Sequence, residues 1–170
     1  VRWLIWIVLF LLALVLLGMW VIRPREEPAR IYFVQWDADR NTGRLVAVPR
    51  RVRGRTQADR VADAVRLLLQ GPSEAERRLG YTTEIPAGTR LRGVRIEGDV
   101  ATVDLSRDLE RGGGSSSMLA RVYQIVYTVT QFQDIRGVQI LLEGKRRDAL
   151  GGEGVWIGGP IRRPEVPPEF

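Results

Sequence analysis

Apolar residues follow three rhythms along this chain: unbroken, alternating and helical. The unbroken run comes first. Trp3 to Ile22 reads "WLIWIVLFLLALVLLGMWVI", with no charged residue and tryptophans near both ends. About 20 such residues in a helix would cover the ~30 Å of a bilayer's hydrocarbon layer, and indole rings settle at membrane interfaces. The segment has no good signal-peptide cleavage site before "RPREEP". The expectation is an N-terminal transmembrane helix over residues 1–23, retained as an anchor, then a proline-broken linker over 24–30. Val1 fits a non-ATG start codon, so the chain is expected to begin there.

The alternating rhythm follows. "IYFVQW" (Ile31 to Trp36) and "LVAVPRRV" read as strands around the turn-rich "DADRNTGR", with Pro49 placing the second at an edge or a bulge. Later, Leu91, Val94 and Ile96 precede a Gly98-Asp99 turn, and Val100, Val103 and Leu105 follow it, which predicts a hairpin.

Helical spacing marks two segments. After Thr56, with Asp59 three residues on, Ala58, Val61, Ala62, Val65, Leu68 and Leu69 recur on one face until Gly71-Pro72. The second segment, Ser115 to Phe132, contains "QIVYTVTQF", rich in β-branched and aromatic residues that favour strands. As a helix, however, it sorts cleanly. Arg121, Gln124, Thr128 and Gln131 form one polar stripe, and Met118, Val122, Ile125, Val126, Val129 and Phe132 the opposite face. The spacing predicts a helix, its serines capping its start, with the threonines and tyrosines as packing and helix-surface groups. "GVQILLEG" (Gly137 to Gly144) is then a covered, central strand. "VWI" adds a short final strand, and residues 164–170 form an extended Pro-rich tail. The fold class is α+β, ordered β-β-α-β-β-α-β: a small sheet with two helices on one face.

Composition narrows the chemistry. The chain holds no cysteine and no histidine, which excludes disulfides, thiol nucleophiles and His-based triads or zinc motifs. Its formal charge of +6 comes almost wholly from arginine, Lys145 being the only lysine. That mild excess suits anionic head groups or wall polymers and falls short of a nucleic-acid signature. Arg50, Arg51, Arg53 and Arg55 form the densest basic run. It is the candidate binding edge for lipid head groups, wall polymer or an acidic partner, and it equally suits an edge strand that charge protects from aggregation. Asp104 and Ser106 in "VDLS" lack any residue that would activate a nucleophile, so a turn that closes the strand is the expectation. Asp37 and Asp39 are too few for a calcium loop, and Gly137 to Lys145 lacks phosphate-loop spacing. No catalytic residue, cofactor or metal is expected.

The ordered pieces "LLLQGPSEAERRLGYTTEIPAGTRLRGVRIEGDVATVDLS" and "QIVYTVTQFQDIRGVQILLEG" resemble the GerMN domain of sporulation and spore-germination proteins. The carriers are Leu69 to Pro72, the Ile-Pro-x-Gly-Thr turn at Ile85 to Thr89, Val103 to Ser106, and the Gln-Ile-Val-Tyr-Thr helix before a Val-x-Ile strand. The resemblance spans 31–163. It implies a domain like the ring-building modules of secretion-type assemblies, extracytoplasmic and without known catalytic residues. It differs in having one copy of the domain and no lipid-anchoring cysteine. The charges flanking the apolar run, Arg2 before and Arg23, Arg25 and Arg30 after, would by themselves leave the domain inside. The resulting expectation is a non-enzymatic interaction and assembly module at the bacterial envelope, held to the cell membrane by a single pass. Its expected partners are the membrane, envelope proteins and copies of itself. The alternative is a module that binds cell-wall polymer (peptidoglycan) through the arginine edge. Nucleic acid is not expected.

Overall fold

The computed structural model describes residues 3, 6–7, 10–14, 25–40, 42–151 and 154–170. Strand β1 (Arg25–Asp37) and strand β2 (Thr42–Gly54) make a hairpin of 13 residues a side, paired from Arg25↔Gly54 to Asp37↔Thr42. Ile31, Phe33, Val48 and Val52 are buried on one face, as period-two alternation requires. Asp37 Oδ1 accepts from the N–H of Asp39 (3.0 Å) and of Arg40 (3.2 Å) and so closes the tip.

Helix α1 (Gln57–Gln70) starts at a complete capping box, Thr56 with Asp59. Gly54 lets it follow β2 so closely, because a Cβ there would lie 2.7 Å from the Arg60 nitrogen. Val61, Ala64, Val65 and Leu68 are fully buried, each large side chain contributing about 2 kcal/mol. A short helix α2 (Glu74–Arg78), with its own Ser73–Glu76 capping box, leads to strand β3 (Tyr81–Thr82), which pairs with β1 at Val34 and Gln35. Strands β4 (Leu91–Glu97) and β5 (Val100–Leu105) form the second hairpin around Gly98-Asp99. A 3₁₀ turn (Arg107–Glu110) precedes helix α3 (Ser115–Val129). Strand β6 (Gly137–Leu142) lies parallel to β5 and antiparallel to β9 (Ile161–Arg162), and β7 (Ala149–Leu150) pairs with β8 (Val155–Trp156).

Two expectations are corrected. The strands do not share one sheet; they form β2-β1-β3, β4-β5-β6-β9 and the β7-β8 ribbon. Nor do both helices lie on one face of a single sheet. Each touches strands of both large sheets, α1 meeting β1, β2 and β4 and α3 meeting β1 and β6. The reason is that α1 is apolar on two flanks (Val61 and Leu68, Ala64 and Val65), and one sheet covers only one flank. The transmembrane helix is also corrected. Among the described residues no helix is long and apolar enough to cross a membrane. Within Trp3 to Ile22 the described helical residues are Trp3, Trp6, Ile7 and Phe10 to Leu14, and the rest of that run lies outside the described residues.

Arg25 to Arg30, read as linker, are the first half of β1. The tail returns to the body. Phe170 and Gly43 exchange both backbone hydrogen bonds (3.1 and 3.0 Å), and the Phe170 ring joins a small cluster with Val34, Ala120, Leu45, Leu119 and Tyr123.

Candidate functional site

The polar stripe of α3 exists, but it does not face solvent. Arg121, Gln124 and Thr128 are buried, Gln124 and Thr128 completely. Three of the stripe's residues bond the backbone of β1 on the edge that faces away from β2. Thr128 Oγ1 accepts the N–H of Tyr32 (3.2 Å), and Gln124 Nε2 donates to the Tyr32 carbonyl (3.0 Å). Gln131 accepts from the N–H of Arg30 (2.6 Å) and donates to its carbonyl (2.5 Å). Strand β3 covers the next positions, Val34 and Gln35. Side chains of a helix thus continue the ladder that β3 begins, which satisfies groups that burial would otherwise leave unpaired.

The seam extends to a second polar cluster. Gln124 Oε1 accepts the N–H of Glu84 (3.0 Å). Glu84 takes the Trp36 indole N–H on one oxygen (3.1 Å) and the Ser117 hydroxyl on the other (2.6 Å). Arg121 lies beneath the glycine loop. It donates to the carbonyls of Leu109 (2.8 Å) and Gly112 (2.6 Å) and to Ser117 Oγ (3.1 Å). Burial lowers its pKa, and the nearby charge of Glu84 pulls the other way. Gly113, at φ 85°, covers the guanidinium so tightly that a Cβ would clash with Arg121 Nη2. Ser117 serves this cluster, and α3 begins at Gly114 without a side-chain cap, so the expected serine cap is absent. A groove of about 510 Å³ opens here, between Gly71, Glu84 to Ala87 and Arg111 to Gly113.

The sequence-selected residues lie elsewhere. On β2, Arg50 pairs with Glu76 (2.7 Å), while Arg51 (3.2 Å) and Arg53 (2.6 Å) share Glu26. Arg55 gives its backbone N–H to Asp59 Oδ2 (3.2 Å). Asp104 accepts the N–H of Gly144 (2.8 Å) and a bond from Arg92 (3.3 Å). Ser106 accepts the N–H of Arg90 (2.9 Å) and donates to Asp108 (3.0 Å). Both therefore fasten turns. Among the described residues no three His, Cys, Asp or Glu side chains converge to hold a metal. The Glu84–Ser117–Arg121 cluster was not singled out from the sequence. Its only signal was polar residues at helical spacing inside an otherwise apolar segment.

A family model described as "Germane: Sporulation and spore germination" matches residues 30–148. The chain belongs to the Germane family. No curated protein matches it significantly. Among solved structures, the Germane domain is similar to the tandem GerMN domains of the sporulation protein GerM from Bacillus subtilis (TM-score 0.66, 22% identity, 82% of this chain and 46% of that one). It is also similar to a putative lipoprotein from Clostridium perfringens (TM-score 0.58, 22% identity, 81% and 88%). The first GerMN domain of GerM gives TM-score 0.58 at 17% identity over 81% and 98%. At these identities the likeness is one of fold. The chain spans about half the length of the tandem-domain chain.

Proposed function

We propose that this Germane domain is a non-enzymatic interaction and assembly module on the extracytoplasmic side of the bacterial envelope, in complexes of the sporulation or germination type. One observation carries the reading. The polar side chains that could do chemistry are engaged in holding structure: Glu84, Ser117, Arg121 and Gln124 fix the hairpin and the glycine loop, and Asp104 and Ser106 fasten turns. What remains for function is surface. The neighbours' descriptions as a sporulation protein and a putative lipoprotein give this reading its setting.

The test places a photo-crosslinking residue at exposed positions on β2, such as Arg44, and on β4, such as Arg95, in living cells. Discrete adducts with envelope proteins, or a ladder of this chain with itself, are the expected result. Protease added to spheroplasts should digest the domain. Hydrolysis of wall material that Asp104→Asn abolishes without unfolding would overturn the non-enzymatic reading.

A further inference from the structure

The hairpin has two edges, and they are treated differently. On β1 the edge is closed by β3 and by the α3 side chains. On β2 the register of the outer edge is fixed by two contacts. Gly43 exchanges both backbone bonds with Phe170, and Arg53 donates its N–H to Asp63 Oδ2 (2.8 Å). Outward groups recur at every second residue of an antiparallel strand, so Leu45, Ala47, Pro49 and Arg51 also turn their backbone outward. Pro49 has no N–H, and its carbonyl accepts from Arg50 (3.0 Å). Among the described residues nothing bonds the outer N–H and C=O of Leu45 or Ala47. Ala47 is exposed and Leu45 half-buried. The tail does not extend its own pairing, because the residue that would face Leu45 in an antiparallel ladder through Phe170 is Pro168.

We infer that the open stretch of β2 at Leu45–Ala47 binds an extended, acidic segment of a partner protein, which adds as a strand beside the position taken by Phe170. This deepens the interaction-module reading and rests on it. Backbone bonds would supply affinity, and alternate side chains specificity. One face of the added strand would meet Leu45, Ala47 and the Phe170 ring. Charge selects the partner. Arg51 and Arg53 share the single carboxylate of Glu26, and among the described residues Arg44 bonds only the neutral amide of Gln35 (2.9 Å). That positive surplus admits an acidic strand and rejects a basic one. It also disfavours a second copy of this chain, whose isologous edge would bring the same arginines face to face.

The experiment uses the full chain and a fluorescent heptapeptide alternating valine and glutamate, beside a valine–lysine version and a backbone N-methylated version. Binding of the acidic peptide alone is expected. Ala47→Pro should weaken it by about tenfold or more, because it removes an outward N–H at a position an edge strand tolerates. Its unchanged melting temperature would show the fold intact. Arg51→Glu with Arg53→Glu should transfer preference to the lysine peptide. Hydrogen exchange at Leu45 and Ala47, fast in the free chain, should slow when the acidic peptide is added. Equal binding of the N-methylated peptide, or binding indifferent to Ala47→Pro, would overturn the inference. So would protection of these amides by self-association or by isolated wall polymer. Envelope crosslinks from β4 alone, with no peptide binding at β2, would leave the module reading standing and remove this edge from it.

Discussion

Gln131 brackets the backbone of Arg30, 101 positions away, accepting its N–H and donating to its carbonyl as a neighbouring strand residue would. A third bond, from Gln131 Nε2 to the Thr128 carbonyl (2.7 Å), holds the amide in place on the last turn of α3. One side chain thus ties the crossover helix to the first strand.

Gln131→Ala should therefore cost about 1–2 kcal/mol, the loss of paired but partly accessible hydrogen bonds. Urea unfolding checks the magnitude. Amide exchange at Arg30 should accelerate while exchange at Phe33, on the side paired with β2, does not.

Deeper along the same stripe the effect should grow. Gln124 is fully buried and serves both the Tyr32 carbonyl and the Glu84 N–H. Gln124→Leu preserves volume but orphans both groups, for an expected loss of about 2–4 kcal/mol. A loss below 0.5 kcal/mol, about the effect of an ordinary surface change, would show that the seam is not needed to hold β1.

Arg121 and Gly113 act as one device. Arg121→Met should free the carbonyls of Leu109 and Gly112, loosening the loop and costing about 2–4 kcal/mol. Gly113→Ala adds a Cβ at φ 85° against the guanidinium, with an expected loss of about 1–3 kcal/mol. Limited proteolysis should cut both variants between Arg107 and Gly114 faster than the parent chain. Because the two residues touch, the double variant should lose less than the sum.

Much of the architecture was legible from spacing. Helix α1, the Gly98-Asp99 hairpin and the covered strand β6 announce themselves through period and turn chemistry, and the polar stripe identified α3 against its local β propensity. The stripe's environment was not legible, since periodicity reports which residues share a face and not what that face meets. The start of β1 was hidden for a related reason. "RPREEPAR" looks like linker because of its charges and prolines, yet Pro28 sits at an outward position needing no N–H, and Glu26 and Glu27 pair with Arg51, Arg53 and Arg60 across the hairpin and α1. The arginine run on β2 was visible as charge, but its pairing with Glu76 and Glu26 depends on contacts 25 or more residues apart. Glu84 was invisible as part of the seam because its partners, Trp36 and Ser117, come from either side of it in the chain.

The carboxylates of Glu76, Glu26 and Asp59 set a pH dependence. Burial alone would raise the pKa of Glu76, but the hydrogen bonds from Arg50 and Ser73 outweigh it and lower it. Hydrogen bonding to Arg53 lowers that of Glu26, and the Thr56 backbone N–H lowers that of Asp59. A carboxylate with a depressed folded-state pKa binds fewer protons when folded than when unfolded. Its contribution is thus complete above the unfolded value and drains away as pH falls through the folded one. The melting temperature should accordingly hold from pH ~7 to ~5 and decline progressively below about pH 4.5. Glu76→Gln should melt lower than the parent chain at neutral pH, because its amide holds Arg50 and the Ser73 N–H less well, and should decline less steeply in acid. A Glu76→Gln profile parallel to the parent's down to pH ~3 would show that this carboxylate does not carry the acid sensitivity.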